Sequence, residues 1–169
     1  MVNLSDDEMN NNWWKGERGE WYVVVQFVLF ALIFAAPFLT RQLSGWSDPW
    51  SMIGRLLGLL LMGIGGILAL AGLGSLGRNL AVVPHPKDDA SLVEYGAYKI
   101  VRHPIYSGVI LGAFGWAFLM NSLLTLLLAA ILFLFFDIKS RREEKWLSRK
   151  FETYPAYQQR VRKLVPFIY

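Results

Sequence analysis

The chain has 169 residues, of which 54% are hydrophobic and 18% charged, with a net charge of +4 and no cysteine. An average soluble domain carries about 25% charged residues, so this much apolar surface on one small domain points to lipid rather than to a single buried core. The absence of cysteine excludes disulfides, thiolate metal sites and thiol nucleophiles, and a complement of two histidines argues against a conventional zinc site.

Met1 to Glu20 is polar and lacks both the basic start and the small-residue cleavage site of a signal peptide. The first apolar run, Trp21 to Leu39, is therefore expected to act as an uncleaved anchor. It holds no charge and one proline, Pro37, near its end. A second run, Met52 to Leu76, carries Arg55 near its start, where a long side chain can snorkel to the interface. The block Ile105 to Ile138 is too long for one span. Asn121-Ser122 near its middle predicts a turn, and the block reads as a helical hairpin. Beyond Ile138, helical apolar spacing persists through Trp146, Leu147, Phe151, Tyr154, Tyr157, Val161 and Leu164. This predicts one or two amphipathic helices, interrupted near Pro155, on the bundle or the membrane surface.

The expected architecture is an all-α integral membrane protein with about four transmembrane helices and a C-terminal amphipathic segment. It divides into a polar N-terminal segment over residues 1–20, a two-helix membrane region over 21–76, and a functional core over 77–169. Four spans put the N-terminus, the Gly77–Pro104 loop and the C-terminal tail on one side. That side holds Lys15, Arg18, Arg78, Lys87, Lys99, Arg102 and a basic tail, 15 of the 17 basic residues, leaving Arg41 and Arg55 opposite. The positive-inside rule makes that side cytoplasmic. Trp13, Trp14, Trp21 and Tyr22 then mark the inner boundary, and Trp46 and Trp50 the outer one. A purely lipid-binding role for the basic tail is an alternative use of the same charges, whereas nucleic acid is not an expected partner.

Gly72-Leu-Gly-Ser-Leu-Gly77 matches the dinucleotide fingerprint letter for letter. That fingerprint works only between a strand and a helix, and here it ends an apolar helix. With Gly54, Gly58, Gly63, Gly65 and Gly66, these glycines are expected to let helices approach closely.

Two segments carry chemistry. Leu92 to Gly108 crowds Glu94, Tyr95, Tyr98, Lys99, Arg102, His103 and Tyr106 around a His-Pro hinge at the mouth of the third span. Pro104 forces His103 out of helical geometry and suits the first turn of the helix that follows. Free N–H groups and the partial positive charge at that helix start favour a carboxylate. Interfacial anchoring by tyrosine and basic residues is the alternative, but the density of these groups and the His-Pro hinge favour a functional segment. The second segment is Glu143-Glu144, with Lys139 one helical turn before Glu143.

Together they resemble the isoprenylcysteine carboxyl methyltransferase family and its phospholipid methyltransferase relatives. The family pattern Gly-x-Tyr-x-x-x-Arg-His-Pro-x-Tyr-x-Gly appears as Gly96, Tyr98, Arg102, His103, Pro104, Tyr106 and Gly108. After the hairpin come Glu143, Glu144, Leu147, Phe151, Tyr154, Tyr157, Val161 and Pro166 at the family's spacing. The resemblance implies S-adenosyl-L-methionine as methyl donor and a lipophilic acceptor: an isoprenylcysteine carboxylate, a phospholipid amine or a small thiol; on composition no metal is expected. It implies cofactor contacts from Leu92, Val93, Tyr98, His103, Pro104, Tyr106, Glu143 and Glu144, and acceptor or catalytic roles for Lys139, Arg142 and Glu143. Lys139 stands where the eukaryotic enzymes have a substrate-binding arginine. Lysine lacks the bidentate fork, so the acceptor class stays open. The expected location is the inner or plasma membrane, with the site facing the cytoplasm. The competing readings are a membrane-embedded NADPH-dependent reductase and a non-catalytic helical scaffold.

Overall fold

A computed structural model of the chain describes residues 19–40, 45–79, 89–166, 168 and 169. The N-terminal calls on Trp13, Trp14, Lys15 and Arg18, and those on Arg41 and Lys87, lie outside the described residues, as does the Arg78 side chain. Among the described residues five α-helices follow in order: α1 Glu20–Leu39, α2 Trp50–Leu76, α3 Pro104–Leu119, α4 Leu123–Lys150 and α5 Tyr154–Arg160. A 3-10 turn, Gly96–Lys99, precedes α3. Among the described residues there is no strand, only an isolated parallel bridge between Val101 and Arg162. Helices α1, α2 and α4 are long and apolar enough to cross a membrane, and α3 is a shorter apolar helix. The chain is an all-α membrane protein. Phe34, Leu39, Ile67 and Leu70 turn their side chains outward, as a hydrocarbon solvent allows.

Helices α3 and α4 form the expected hairpin. Asn121 takes a positive φ of 52°, a conformation asparagine tolerates at a helix end. Ser122 then caps α4 by accepting from the Thr125 N–H at 3.2 Å. The Asn121 side chain also accepts from the Trp46 N–H at 2.9 Å and donates to the Trp46 carbonyl at 2.8 Å. The α1–α2 connection is thereby fastened to the hairpin turn at the end of the bundle away from His103.

The α2–α3 contact is built on glycine. A Cβ on Gly65 would lie 2.6 Å from the Gly108 carbonyl, and one on Gly58 2.6 Å from that of Gly115. Gly72 abuts Pro104, which a Cβ would meet at 2.9 Å. These three positions, seven residues apart, form one stripe along α2, so two backbones touch directly. Gly63, Gly66 and Gly74 meet nothing within 4 Å and face outward, so only part of the glycine set works as the sequence suggests. The core is made without α2, by Leu29 and Ile33 of α1, Ile110 and Ala113 of α3, Ala129, Leu132 and Phe136 of α4, and Leu164.

The C-terminal region departs from the sequence reading. Helix α4 does not end near Ile138 but continues unbroken to Lys150. No proline or glycine interrupts it there, and Asp137 pairs with Arg141 one turn on at 2.8 Å. The break falls before α5, and Pro155 sits inside the first turn of α5, a position proline suits. Val161 and Leu164 are not helical. Instead, the carbonyls of Arg162 and Lys163 accept from the N–H groups of Arg102 and His103 at 2.8 and 3.2 Å. This strap is clasped to α4 through Asp137, whose carboxylate accepts from Lys163 Nζ at 2.5 Å and from the Tyr169 hydroxyl at 2.8 Å.

Candidate active site

Pro104 occupies the first turn of α3, and His103 before it is non-helical, with φ −126° and ψ 65°. That turn aims the His103 ring across the hairpin seam at α4. His103 Nε2 lies 3.1 Å from Glu144 Oε1. The His103 ring stacks on Tyr106, with centroids 5.4 Å apart and planes 4° apart, and Tyr106 stacks on Phe136 at 4.6 Å. The Tyr106 hydroxyl donates to Glu143 Oε2 at 2.8 Å. Above the same ring, Lys139 Nζ sits 5.2 Å from the centroid and donates to Gln26 Oε1 of α1 at 2.6 Å.

The two adjacent glutamates have different surroundings. Glu144 is buried and fully engaged: Arg102 Nε donates to one oxygen at 2.8 Å, and Gln158 Nε2 to the other at 3.1 Å. Burial alone would raise its carboxyl. The His103 hydrogen bond and charge, then those of Arg102, outweigh burial and hold it at about 2. Arg102 also donates to the backbone carbonyls of Gln158 and Val161, so one guanidinium ties the α3 entry, α4 and the α5 end together. Glu143, by contrast, has a side chain 26% exposed, and its second oxygen has no partner among the described residues. Nearby, Tyr157 donates to the Tyr98 carbonyl at 2.7 Å. Burial pushes the phenols of Tyr98, Tyr154 and Tyr157 up, so they stay protonated donors at neutral pH.

His103, Tyr106, Lys139, Glu143 and Glu144 are thus brought into one cluster, with Pro104 shaping the turn. Tyr98 borders it through Tyr157. Arg142 lies 5.5 Å from the Tyr22 ring and 5.0 Å from that of Trp146, and so is tied to the start of α1. Leu92 and Val93 belong to the segment before the 3-10 turn, with Val93 buried and Leu92 half-buried. Sequence reasoning missed Gln26, Phe136 and Gln158, and gave Arg102 no task beyond its place in the motif. Gln26 carried a readable signal, as the only amide or charged side chain between Trp21 and Leu39. The other two carried none without knowledge of the pairing.

An apolar groove of about 480 Å³ lies along the hairpin, lined by Ser107, Ile110, Phe114, Phe133, Leu134 and Leu164, among others. Ser107 Oγ reaches the carbonyls of His103 at 3.0 Å and Leu164 at 2.6 Å. One end of the groove therefore meets both the His103 turn and the C-terminal strap.

A family model described as phospholipid methyltransferase matches residues 53–154, from α2 to the start of α5. The chain is 33% identical over 115 residues to a probable protein-S-isoprenylcysteine O-methyltransferase of Oryza sativa subsp. indica, covering 66% of this chain and 60% of the relative. It is 32% identical over 149 residues to the cobalt-zinc-cadmium resistance protein CzcN of Cupriavidus metallidurans, covering 88% of this chain and 62% of that one. To the protein-S-isoprenylcysteine O-methyltransferase of Schizosaccharomyces pombe it is 37% identical over 82 residues, 47% of this chain and 35% of the relative. The chain spans about three fifths of the length of the first two of these relatives. The match takes in more than half of the chain, including the His103–Pro104 turn and both glutamates, and the chain belongs to the phospholipid methyltransferase family.

Proposed function

We propose that this protein is an S-adenosylmethionine-dependent methyltransferase acting on a lipophilic acceptor at the cytoplasmic face of the membrane. The observation that carries the reading is the stack of His103, Tyr106 and Phe136, with the Tyr106 hydroxyl on Glu143. The residues fit the donor. Glu143 keeps one carboxylate oxygen for hydroxyl or ammonium donors, and aromatic faces attract a cation by about 0.5–2 kcal/mol depending on desolvation. When bound, S-adenosylmethionine supplies an electrophilic methyl group on a sulfonium, so the chemical reactivity comes with the cofactor.

The protein's part is then alignment and exclusion of water. Glu144 and Arg102 fix the His103 ring, and Tyr106 fixes Glu143. Lys139, nearly fully buried on the Tyr106 face, orients an electron-rich acceptor group, with Arg142 beside it on α4. The groove from Ser107 to Leu134 suits the apolar chain of an acceptor entering from the bilayer. The related plant and yeast enzymes are named for isoprenylcysteine, which favours an acceptor of that apolar kind. The weight of basic residues at the His103 end supports the cytoplasmic orientation.

Calorimetry on the purified protein tests this reading. Binding of S-adenosylhomocysteine in the micromolar range, lost in Glu143→Ala, is the expected result. Binding of NADPH without S-adenosylhomocysteine would overturn the reading in favour of a reductase. Radiolabelled methyl transfer in membranes then sorts the acceptor: base-labile label means an ester, and stable label means N- or S-methylation.

A further inference from the structure

Lys139 is 2% exposed, yet among the described residues no carboxylate lies within 4 Å of its Nζ. Glu143, one turn further along α4, is bonded to Tyr106 instead. The ammonium has one hydrogen-bond partner among the described residues, Gln26 Oε1 at 2.6 Å, 113 positions earlier in the chain. Two ring faces also lie near it, Tyr106 at 5.2 Å and Phe136 at 5.8 Å, and the Glu143 charge acts on it from beyond hydrogen-bond reach. A lysine head on a flexible four-carbon stem gains no direction from ring faces alone. Gln26 supplies that direction.

Gln26 is also the lone amide in an apolar span, within the first two turns of α1, and a polar side chain inside such a helix is costly enough to mark a functional position. Its helix lies wholly outside the segment matched by the family, residues 53–154. We propose that Gln26 is a positioning residue: it holds Lys139 Nζ over the Tyr106 face, and through it α1 takes part in selecting the methyl acceptor. This rests on the methyltransferase reading of the site.

The test uses the full chain in vesicles with Gln26→Met, which keeps the volume but removes the oxygen, and Gln26→Glu, which keeps an oxygen. Two acceptor probes are offered, N-acetyl-S-farnesylcysteine and phosphatidylethanolamine. Acetylation of Lys139 by a succinimidyl ester is followed by mass spectrometry. In Gln26→Met, kcat/KM for the methylated probe should fall about tenfold, the size expected for losing a hydrogen bond to a charged group. S-adenosylhomocysteine binding should stay within about twofold and Lys139 should acetylate faster, while Gln26→Glu restores its protection. Wild-type transfer and wild-type Lys139 protection in Gln26→Met would overturn the proposal, because a packing role alone survives that swap. Failure of the wild type to bind S-adenosylhomocysteine would overturn the methyltransferase reading, and acceptor selection with it. The Lys139 acetylation rate still shows in that case whether Gln26 fixes the ammonium.

Discussion

Replacing Glu144 by Gln keeps the shape of the side chain but removes the charge that Arg102 and His103 share. The Arg102 and Glu144 side chains are each only 11% exposed, so the substitution leaves a guanidinium largely shielded from water without its counter-ion. Breaking a buried pair in this way typically costs about 3–5 kcal/mol. Arg102 retains two backbone carbonyls, which places the expected loss near the lower end, about 3 kcal/mol. Gln158→Ala removes one hydrogen bond to the same carboxylate and should cost about 1.5 kcal/mol. The measurement is denaturant unfolding in mild detergent across pH. Glu144 is held at about 2, below the ordinary 4.5, so its contribution is complete above about pH 4.5 and fades as pH falls towards 2. The wild type should therefore lose stability through that window, and Glu144→Gln should lose correspondingly less. Equal stability of the two at neutral pH, or an unchanged acid limb in the variant, would refute the assignment of Glu144 as the anchor of the site.

Two further outcomes follow from the packing. Gly65→Ala or Gly108→Ala should each lower thermal stability by about 1–3 kcal/mol, because the added methyl meets a backbone carbonyl and the helices must separate. Ala at Gly63, Gly66 or Gly74 should stay within about 0.5 kcal/mol of the wild type in the same melt, since a Cβ there meets nothing within 4 Å. Lys163→Met should loosen the C-terminal strap by removing its bond to Asp137. Limited proteolysis should then cut the last residues several-fold faster, with the hairpin left intact.

Much of this arrangement is legible in the chain itself. Apolar runs find the long apolar helices, Asn121-Ser122 finds the hairpin turn, and the Arg102-His103-Pro104 string falls in the buried polar cluster proposed as the site. These are local signals, set by solvent and backbone chemistry. What escapes is pairing. Glu143 and Glu144 are neighbours in sequence, but about 100° of helical rotation separates them, so one meets Tyr106 while the other meets Arg102 and Gln158. No property of two identical side chains announces that split. The glycine stripe is similar: Gly65 and Gly66 are adjacent, yet one touches Gly108 and the other nothing. The end of α4 escapes for another reason, since polarity changes at Ile138 while helix propensity does not, and the helix obeys the latter.

That unbroken α4 also acts as a ruler. At 1.5 Å per residue, Glu143 stands about 30 Å along the helix from Leu123, close to the thickness of a bilayer's hydrocarbon core. Lys139 falls about one turn short of that boundary and the basic stretch from Lys145 to Lys150 lies beyond it. The depth of the Lys139–Glu143 pair relative to the headgroups is thus fixed by one rigid rod pinned at its far end by the Ser122 cap and Asn121. A thinner or thicker membrane would shift the polar edge relative to these two side chains, so bilayer thickness itself becomes a variable of the site.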